Sequence, residues 1–318
     1  MARSRAMAMS SVGTGPYPEG ATVVAGEALY QWKLQAQGDA QKADIPVYEL
    51  DWFLQGISPL SQSDLSLGLY RDRTVPLRHP LDWLTQQWQR RVAERVPVQY
   101  LVGETPWRDL MLTVTPDVLI PRPETELIVE IVQAWVQQQP KFLASGVWAD
   151  LGTGSGAIAI ALAKALPHAQ VLAVDISAAA LAIAKENAQR NQVTNIEFHQ
   201  SSWFDALENW RGQLCGVITN PPYIPSDVVL TLEPEVTHHE PHTALDGGHD
   251  GLDDIRLLIE QSPDFLHPGG MWLTEHMQGQ AHIIANLLST AHGYDNIQVH
   301  ADLAGIERFV SATLTCSQ

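Results

Sequence analysis

From residue 147 onward, short apolar runs alternate with longer stretches of helical character, and few folds accommodate that pattern. VWADL (147–151), QVLAVD (170–175), IEFHQS (196–201), CGVITN (215–220), MWLTEHM (271–277), NIQVHAD (296–302) and RFVSATL (308–314) read as strands. Between them, GAIAIALAKAL (156–166), AALAIAKENAQRN (179–191), GLDDIRLLIEQSPDFL (251–266) and residues 280–291 read as helices. Strands separated by helices require right-handed crossovers and a mainly parallel sheet. The fold class is α/β, Rossmann-like, with seven such strands.

The N-terminal third has a different period. Leu81, Leu84, Trp88 and Val92 mark one helix face, with Pro80 before it and Pro97 after it. Val47, Leu50, Phe53 and Leu54 mark another, behind Pro46. Trp32, Trp52, Trp83 and Trp88 read as core packing. The pattern predicts a helical domain over 21–97 and a two-stranded hairpin linker within 98–118, its strands drawn from 98–114. A catalytic α/β domain then spans 119–318, with a helix starting near Glu124. Residues 1–20 carry two arginines and no apolar core, and read as a disordered extension.

The first strand runs into ADLGTGSG. Gly152, Gly154 and Gly156 allow backbone to approach a ligand, and Asp175 at the end of the next strand is placed for ribose hydroxyls. The third glycine comes one residue early for a dinucleotide fingerprint. Asp150 at the strand end is awkward for a pyrophosphate but suits a cationic ligand. These residues favour S-adenosylmethionine over NAD.

GVITNPPYIPS (216–226) ends an apolar strand abruptly in Asn220-Pro221-Pro222-Tyr223. In a doubly wound sheet, ligands sit past the C-terminal strand ends where strand order reverses. If 147–151 and 215–220 are neighbours there, Asn220 faces the cofactor loop. A planar amide or amino nitrogen is a poor nucleophile. The Asn220 oxygen and the Pro221 carbonyl can accept its two N–H groups and align it. Pro221 and Pro222 stiffen the loop, and Tyr223 can stack on the planar group. Glu275 ends a strand at the same edge, with a functional role and a helix cap as competing readings.

Acidic residues outnumber basic ones 36 to 19, for a net charge of −17, which disfavours direct nucleic-acid binding. The two cysteines, Cys215 and Cys316, read as reduced thiols of a cytoplasmic protein. No apolar run approaches the roughly 20 residues of a membrane helix. His238, His239, His242 and His249 match no zinc spacing, so no metal is expected.

Together, LIPRPETELIVE (119–130), DLGTGSGAIAIALA (150–163), VDIS (174–177), SSWF (201–204), TNPPYIP (219–225), EPHTALDGGHDGL (240–252) and HPGGMWLTEHMQGQ (267–280) resemble the HemK/PrmC peptide chain release factor glutamine methyltransferases. The resemblance spans 98–318. It implies a class I methyltransferase domain behind a small helical substrate-recognition domain, joined by a hairpin. It implies S-adenosylmethionine held by Asp150, Gly152, Thr153, Gly154, Ser155, Gly156, Asp175, Ile176, Trp203 and Asn220. Asn220, Pro221, Pro222 and Tyr223 would hold the substrate glutamine, with Arg122, Pro123, Glu124 and Thr125 beside the cofactor or substrate channel. The implied partner is a class I release factor, methylated by a monomer on the glutamine of its Gly-Gly-Gln motif. The same chemistry on a ribosomal-protein glutamine, or on a nucleic-acid adenine, is the alternative. Trp107 stands where the family pattern has phenylalanine. HMQGQ lacks a glycine close behind Glu275, and THHEP departs from the pattern before EP.

Overall fold

The computed structural model describes residues 22–291 and 293–316, so the extension expected over 1–20 lies outside the described residues. The chain divides into two compact units, with the boundary after Val102.

The first unit contains β1 (Thr22–Ala25), α1 (Gly26–Lys42), α2 (Val47–Ile57), α3 (Gln62–Leu67), β2 (Thr74–Leu77), α4 (Leu81–Glu94) and α5 (Val98–Val102). Leu50, Phe53, Leu54, Leu84 and Trp88 are buried in one core, and Trp32, Trp52 and Trp83 pack against it. The indole N–H groups of Trp88 and Trp32 donate to the Ala36 carbonyl and the Thr85 hydroxyl, satisfying their polar ends. Two features differ from the sequence reading. β1 and β2 pair antiparallel, so the unit is not wholly helical. Each is four residues long, too short for a period to register, and the partners lie about fifty positions apart. Residues 98–102 form a helical turn rather than a strand. The Pro97 carbonyl accepts the N–H groups of Tyr100 and Leu101, and Val98 and Leu101 are buried, which overrides the β-branched preference of VQYLV.

The second unit opens with a hairpin, β3 (Glu104–Trp107) and β4 (Leu110–Thr113), turned at Arg108 with φ 53°. A 3-10 turn at Glu124–Glu126 leads into α6 (Leu127–Val136) and α7 (Lys141–Ser145). The alternating region then supplies β5 (Val147–Leu151), α8 (Ala157–Ala165), β6 (Gln170–Asp175), α9 (Ala178–Arg190), β7 (Ile196–Gln200) and β8 (Leu214–Thr219). Two short helices, α10 (Ser226–Val229) and α11 (Pro234–His239), precede α12 (Asp253–Phe265), β9 (Leu266–Glu275), α13 (Ala281–Thr290), β10 (Tyr294–Ala301) and β11 (Glu307–Leu314).

The seven-stranded sheet has the order β10-β11-β9-β8-β5-β6-β7. β9, β8, β5, β6 and β7 are parallel, and the last two strands of the chain join antiparallel. Every residue of β8 is buried, as expected for a strand covered on both faces. Alternation along β5 sends Trp148 into the layer with α6 and α8, and Ala149 and Leu151 into the layer with α12 and α13.

The hairpin belongs to this unit's core. Trp107, Leu110 and Leu112 are buried with Ala157, Ile160 and Ala188. Asn187, fully buried on α9, accepts from the Thr113 N–H at 2.6 Å. It also donates to the Thr113 carbonyl at 3.0 Å and to the Ser155 carbonyl at 2.9 Å. One amide thus ties the hairpin to the glycine loop. Asn187→Leu strands these buried groups and is expected to lower unfolding free energy by about 2–4 kcal/mol, read from the urea midpoint. A loss below about 0.5 kcal/mol, the range of a neutral surface change, would contradict this role.

Candidate active site

β5 and β8 lie side by side, with Asp150 opposite Ile218 and Leu151 opposite Thr219. The next residue on each strand is Gly152 and Asn220. Adjacent strands lie about 4.8 Å apart, so the glycine loop and the Asn-Pro-Pro-Tyr segment begin within one side chain's reach. The buried Thr219 hydroxyl donates to the Leu151 carbonyl at 2.8 Å and locks this register at the strand ends.

The loop itself needs glycine. Gly152, Gly154 and Gly156 have φ of 76°, 53° and 82°, in the left-handed region. The N–H groups of Gly152 and Thr153 both donate to the Val174 carbonyl. The Gly154 N–H donates to Asp175 Oδ2 at 2.8 Å, and the Ser177 N–H to Asp175 Oδ1 at 2.9 Å. A β-carbon on Gly152 would sit 3.4 Å from the Trp203 ring, whereas the same position on Gly154 faces open space. Trp203 has φ 41° and donates its indole N–H to Asp254 at 3.3 Å. Ile176, next to Asp175, is 67% exposed, so its apolar surface is presented rather than packed.

Asp150 is completely buried. Its Oδ2 accepts from the Thr153 hydroxyl at 2.6 Å and from the Ala159 N–H at 3.0 Å, while Oδ1 has no partner. Burial pushes its pKa up to about 7, and the nearby Asp175 adds to the rise. A buried acid at a strand end, with a second acid across the loop, suits a nearby ligand bearing positive charge. It does not fit a pyrophosphate.

On the other side, Asn220 Nδ2 donates to the buried Thr125 hydroxyl at 3.4 Å. Among the described residues no hydrogen bond engages Asn220 Oδ1 or the Pro221 carbonyl, so both remain open acceptors. The Tyr223 hydroxyl donates to Glu275 Oε1 at 3.0 Å. Glu275 therefore serves Tyr223 and is no cap for α13, which starts six residues later. Burial raises the Glu275 pKa to about 7, opposed by the hydroxyls of Thr125 and Tyr223 and the charge of Arg308. Burial, and then Glu275, hold the Tyr223 phenol well above its ordinary range.

Arg122 pairs with the buried Glu240 at 2.5 Å, and its carbonyl accepts the Trp107 indole N–H at 2.8 Å. Tryptophan at 107 can make that second bond and phenylalanine cannot. Glu124, half-buried in the turn that carries Thr125, lies within the field of Arg308. The chain 245–253 backs the Asn-Pro-Pro-Tyr segment. Ile224 N–H donates to the Leu245 carbonyl, Gly247 N–H to the Ile224 carbonyl, and Asp253 N–H to the Gly247 carbonyl. Among the described residues no group of three His, Cys, Asp or Glu could hold a metal ion. The sequence places Thr125 beside the cofactor or substrate channel without a specific partner, and gives no role to Glu240 or Gln280. Their partners are far away in the chain, and only their places inside the motif-bearing stretches marked them.

A sheet of this order, with a glycine loop and an acid on adjacent strand ends and Asn-Pro-Pro-Tyr on a third, defines a Rossmann-like methyltransferase. The Methyltransferase small domain family model matches residues 125–234. The hMettl16 catalytic domain, solved in complex with MAT2A 3'UTR hairpin 6, shares the fold at TM-score 0.54 and 13% identity, covering 85% of this chain and 92% of that one. The release factor glutamine methyltransferase of Synechocystis sp. is 50% identical over 290 residues, 91% of this chain and 97% of its own. That of Thermosynechococcus vestitus is 44% identical over 292 residues, 91% and 99%. The chain belongs to the release factor glutamine methyltransferase family.

Glu275 yields a pH test. Its folded pKa of about 7 lies above its ordinary 4.5, so the fold holds its proton more tightly than the unfolded chain does. Its contribution is fully present below the ordinary value and is lost as pH rises through about 7. Glu275→Gln removes that loss. The difference in melting temperature, variant minus wild type, should increase from pH 5 to pH 8. A difference that stays constant with pH would contradict a buried, titrating Glu275.

Proposed function

We propose that this chain transfers a methyl group from S-adenosylmethionine to the side-chain amide nitrogen of the glutamine in the Gly-Gly-Gln motif of class I peptide chain release factors. In this reading it acts as a monomer in the cytoplasm. The observation that carries the reading is the placement of two open carbonyl acceptors, Asn220 Oδ1 and the Pro221 carbonyl, one strand away from the unpartnered carboxylate of Asp150. Among the described residues no helix is long and apolar enough to cross a membrane.

When bound, S-adenosylmethionine supplies an electrophilic methyl on a positively charged sulfur. Asp150, with Thr153 beside it, offers negative charge toward the cationic part of that ligand. Asp175 has acceptor capacity left after its two backbone N–H bonds, and its role is to take ribose hydroxyls. Ile176 and Trp203 would flank the adenine, Gly152 and Gly154 leave room for the backbone to approach, Ser155 continues the loop, and Gly156 lets it pack against Ala184 of α9.

Asn220 Oδ1 and the Pro221 carbonyl each accept one N–H of the substrate amide. They fix the nitrogen in line for attack and stabilise the positive charge that grows on it, which is discharged when one N–H proton is lost to water after transfer. Thr125 holds the Asn220 amide so that its oxygen is the free end. Tyr223 lies along the planar group with its hydroxyl fixed by Glu275, and Pro222 stiffens the turn between them. Arg122 and Glu124 border the substrate. The N-terminal unit is assigned to recognition of the release factor.

The test is intact and peptide-level mass on a class I release factor incubated with the protein and S-adenosylmethionine, beside a Gly-Gly-Gln to Gly-Gly-Ala control. One added methyl on that glutamine, absent from the control, is expected. No methyl there, or transfer instead to a ribosomal protein or an RNA adenine in a parallel panel, would overturn the reading. Asp175→Ala should weaken cofactor binding by at least about tenfold, roughly 1.4 kcal/mol. Unchanged affinity would remove Asp175 from the ribose role.

A further inference from the structure

Gln280 precedes α13 and is 4% exposed. Both ends of its side chain are engaged. Oε1 accepts the Met277 N–H at 2.9 Å. Nε2 donates to the Tyr223 carbonyl at 3.0 Å, and lies 3.3 Å from the carbonyls of Asp250 and Gly251. One carboxamide therefore joins three segments: the turn after β9, the Asn-Pro-Pro-Tyr segment, and the chain 245–253. The contact is close-packed. A β-carbon on Gly251 would lie 2.2 Å from the Tyr223 carbonyl oxygen and 2.7 Å from Gln280 Nε2.

Prolines cannot donate backbone hydrogen bonds, so Pro221 and Pro222 fix local dihedrals without tying the segment to anything. The Tyr223 carbonyl directly after them is anchored by a side chain, that of Gln280. Only a side chain of this length with two N–H donors at one end and an acceptor at the other satisfies all these neighbours. A glutamate has the same shape, but would turn a carboxylate oxygen toward three carbonyl oxygens.

We propose that Gln280 is a positioning residue for methyl transfer: by clamping the Tyr223 main chain against residues 250 and 251, it sets where the Asn220 and Pro221 acceptors stand. This deepens, and rests on, the methyl-transfer reading above. Gln280 touches neither the glycine loop nor Asp175, so its effect falls on the rate of transfer and not on cofactor affinity.

The experiment compares the full-length wild type with Gln280→Glu and Gln280→Met. It measures the kcat and KM of release-factor methylation, the S-adenosylmethionine dissociation constant, and amide hydrogen exchange. The expected result is kcat lower by about tenfold or more in both variants, with KM and cofactor affinity within about threefold. Exchange should quicken at Ile224, Gly247 and Asp253 and stay unchanged at Gly152, Thr153 and Gly154. A folded variant with kcat within about threefold of wild type overturns the proposal. So does exchange that is unaltered around Tyr223, or equally faster in the glycine loop, which would mark a general loss of stability. Gln280→Met carries the test if Gln280→Glu does not fold. An inactive wild type would instead refute the methylation reading, and the exchange comparison alone would then decide whether the clamp exists.

Discussion

The parallel pairing of β5 with β8 is the constraint on which the rest of this molecule depends. Their register sets Gly152 beside Asn220, and the Thr219 hydroxyl fastens the two strand ends together. Chain order reverses at this point in the sheet, so the crevice past the strand ends stays free of crossover connections. The candidate site residues are gathered there. The loop from β5 and the acid ending β6 form one wall. The segment leaving β8, and Glu275 at the end of β9, form the other.

That gathering carries an electrostatic cost. Asp150 and Glu275 are both buried carboxyls with pKa values raised to about 7, and Asp150 keeps one oxygen without a hydrogen-bond partner. A stability-driven sequence would not place them there, because burying charge without full pairing is unfavourable. Their neighbours limit the penalty: Thr153 and the Ala159 N–H for Asp150, and Tyr223 for Glu275. Strongly perturbed buried acids are over-represented at functional sites. The Arg122–Glu240 pair works differently, since a buried acid there has a cation in direct contact.

The α/β alternation was legible because strands and helices of this length carry distinct periods. The strands at 147–151 and 170–175 fall where their apolar runs place them. The glycine loop and Asn-Pro-Pro-Tyr were legible because each compresses its geometry into a few adjacent residues. Short or long-range features were not. β1 and β2 are too brief to show alternation, and VQYLV favours a strand until Pro97 and burial decide otherwise. Thr125, Glu240 and Gln280 act across 95, 118 and 57 positions, on Asn220, Arg122 and Tyr223, and no local pattern encodes such partnerships. Trp107 looked like a departure from the family pattern. Its indole N–H supplies a bond to the Arg122 carbonyl.

The most direct test of the two-acceptor account is Asn220→Ala, with turnover and cofactor affinity measured on the same preparation. The account predicts that methyl transfer is lost while the S-adenosylmethionine dissociation constant stays within about tenfold, a window of roughly 1.4 kcal/mol. Retained turnover would contradict it, because the Pro221 carbonyl alone would then suffice to hold the nitrogen.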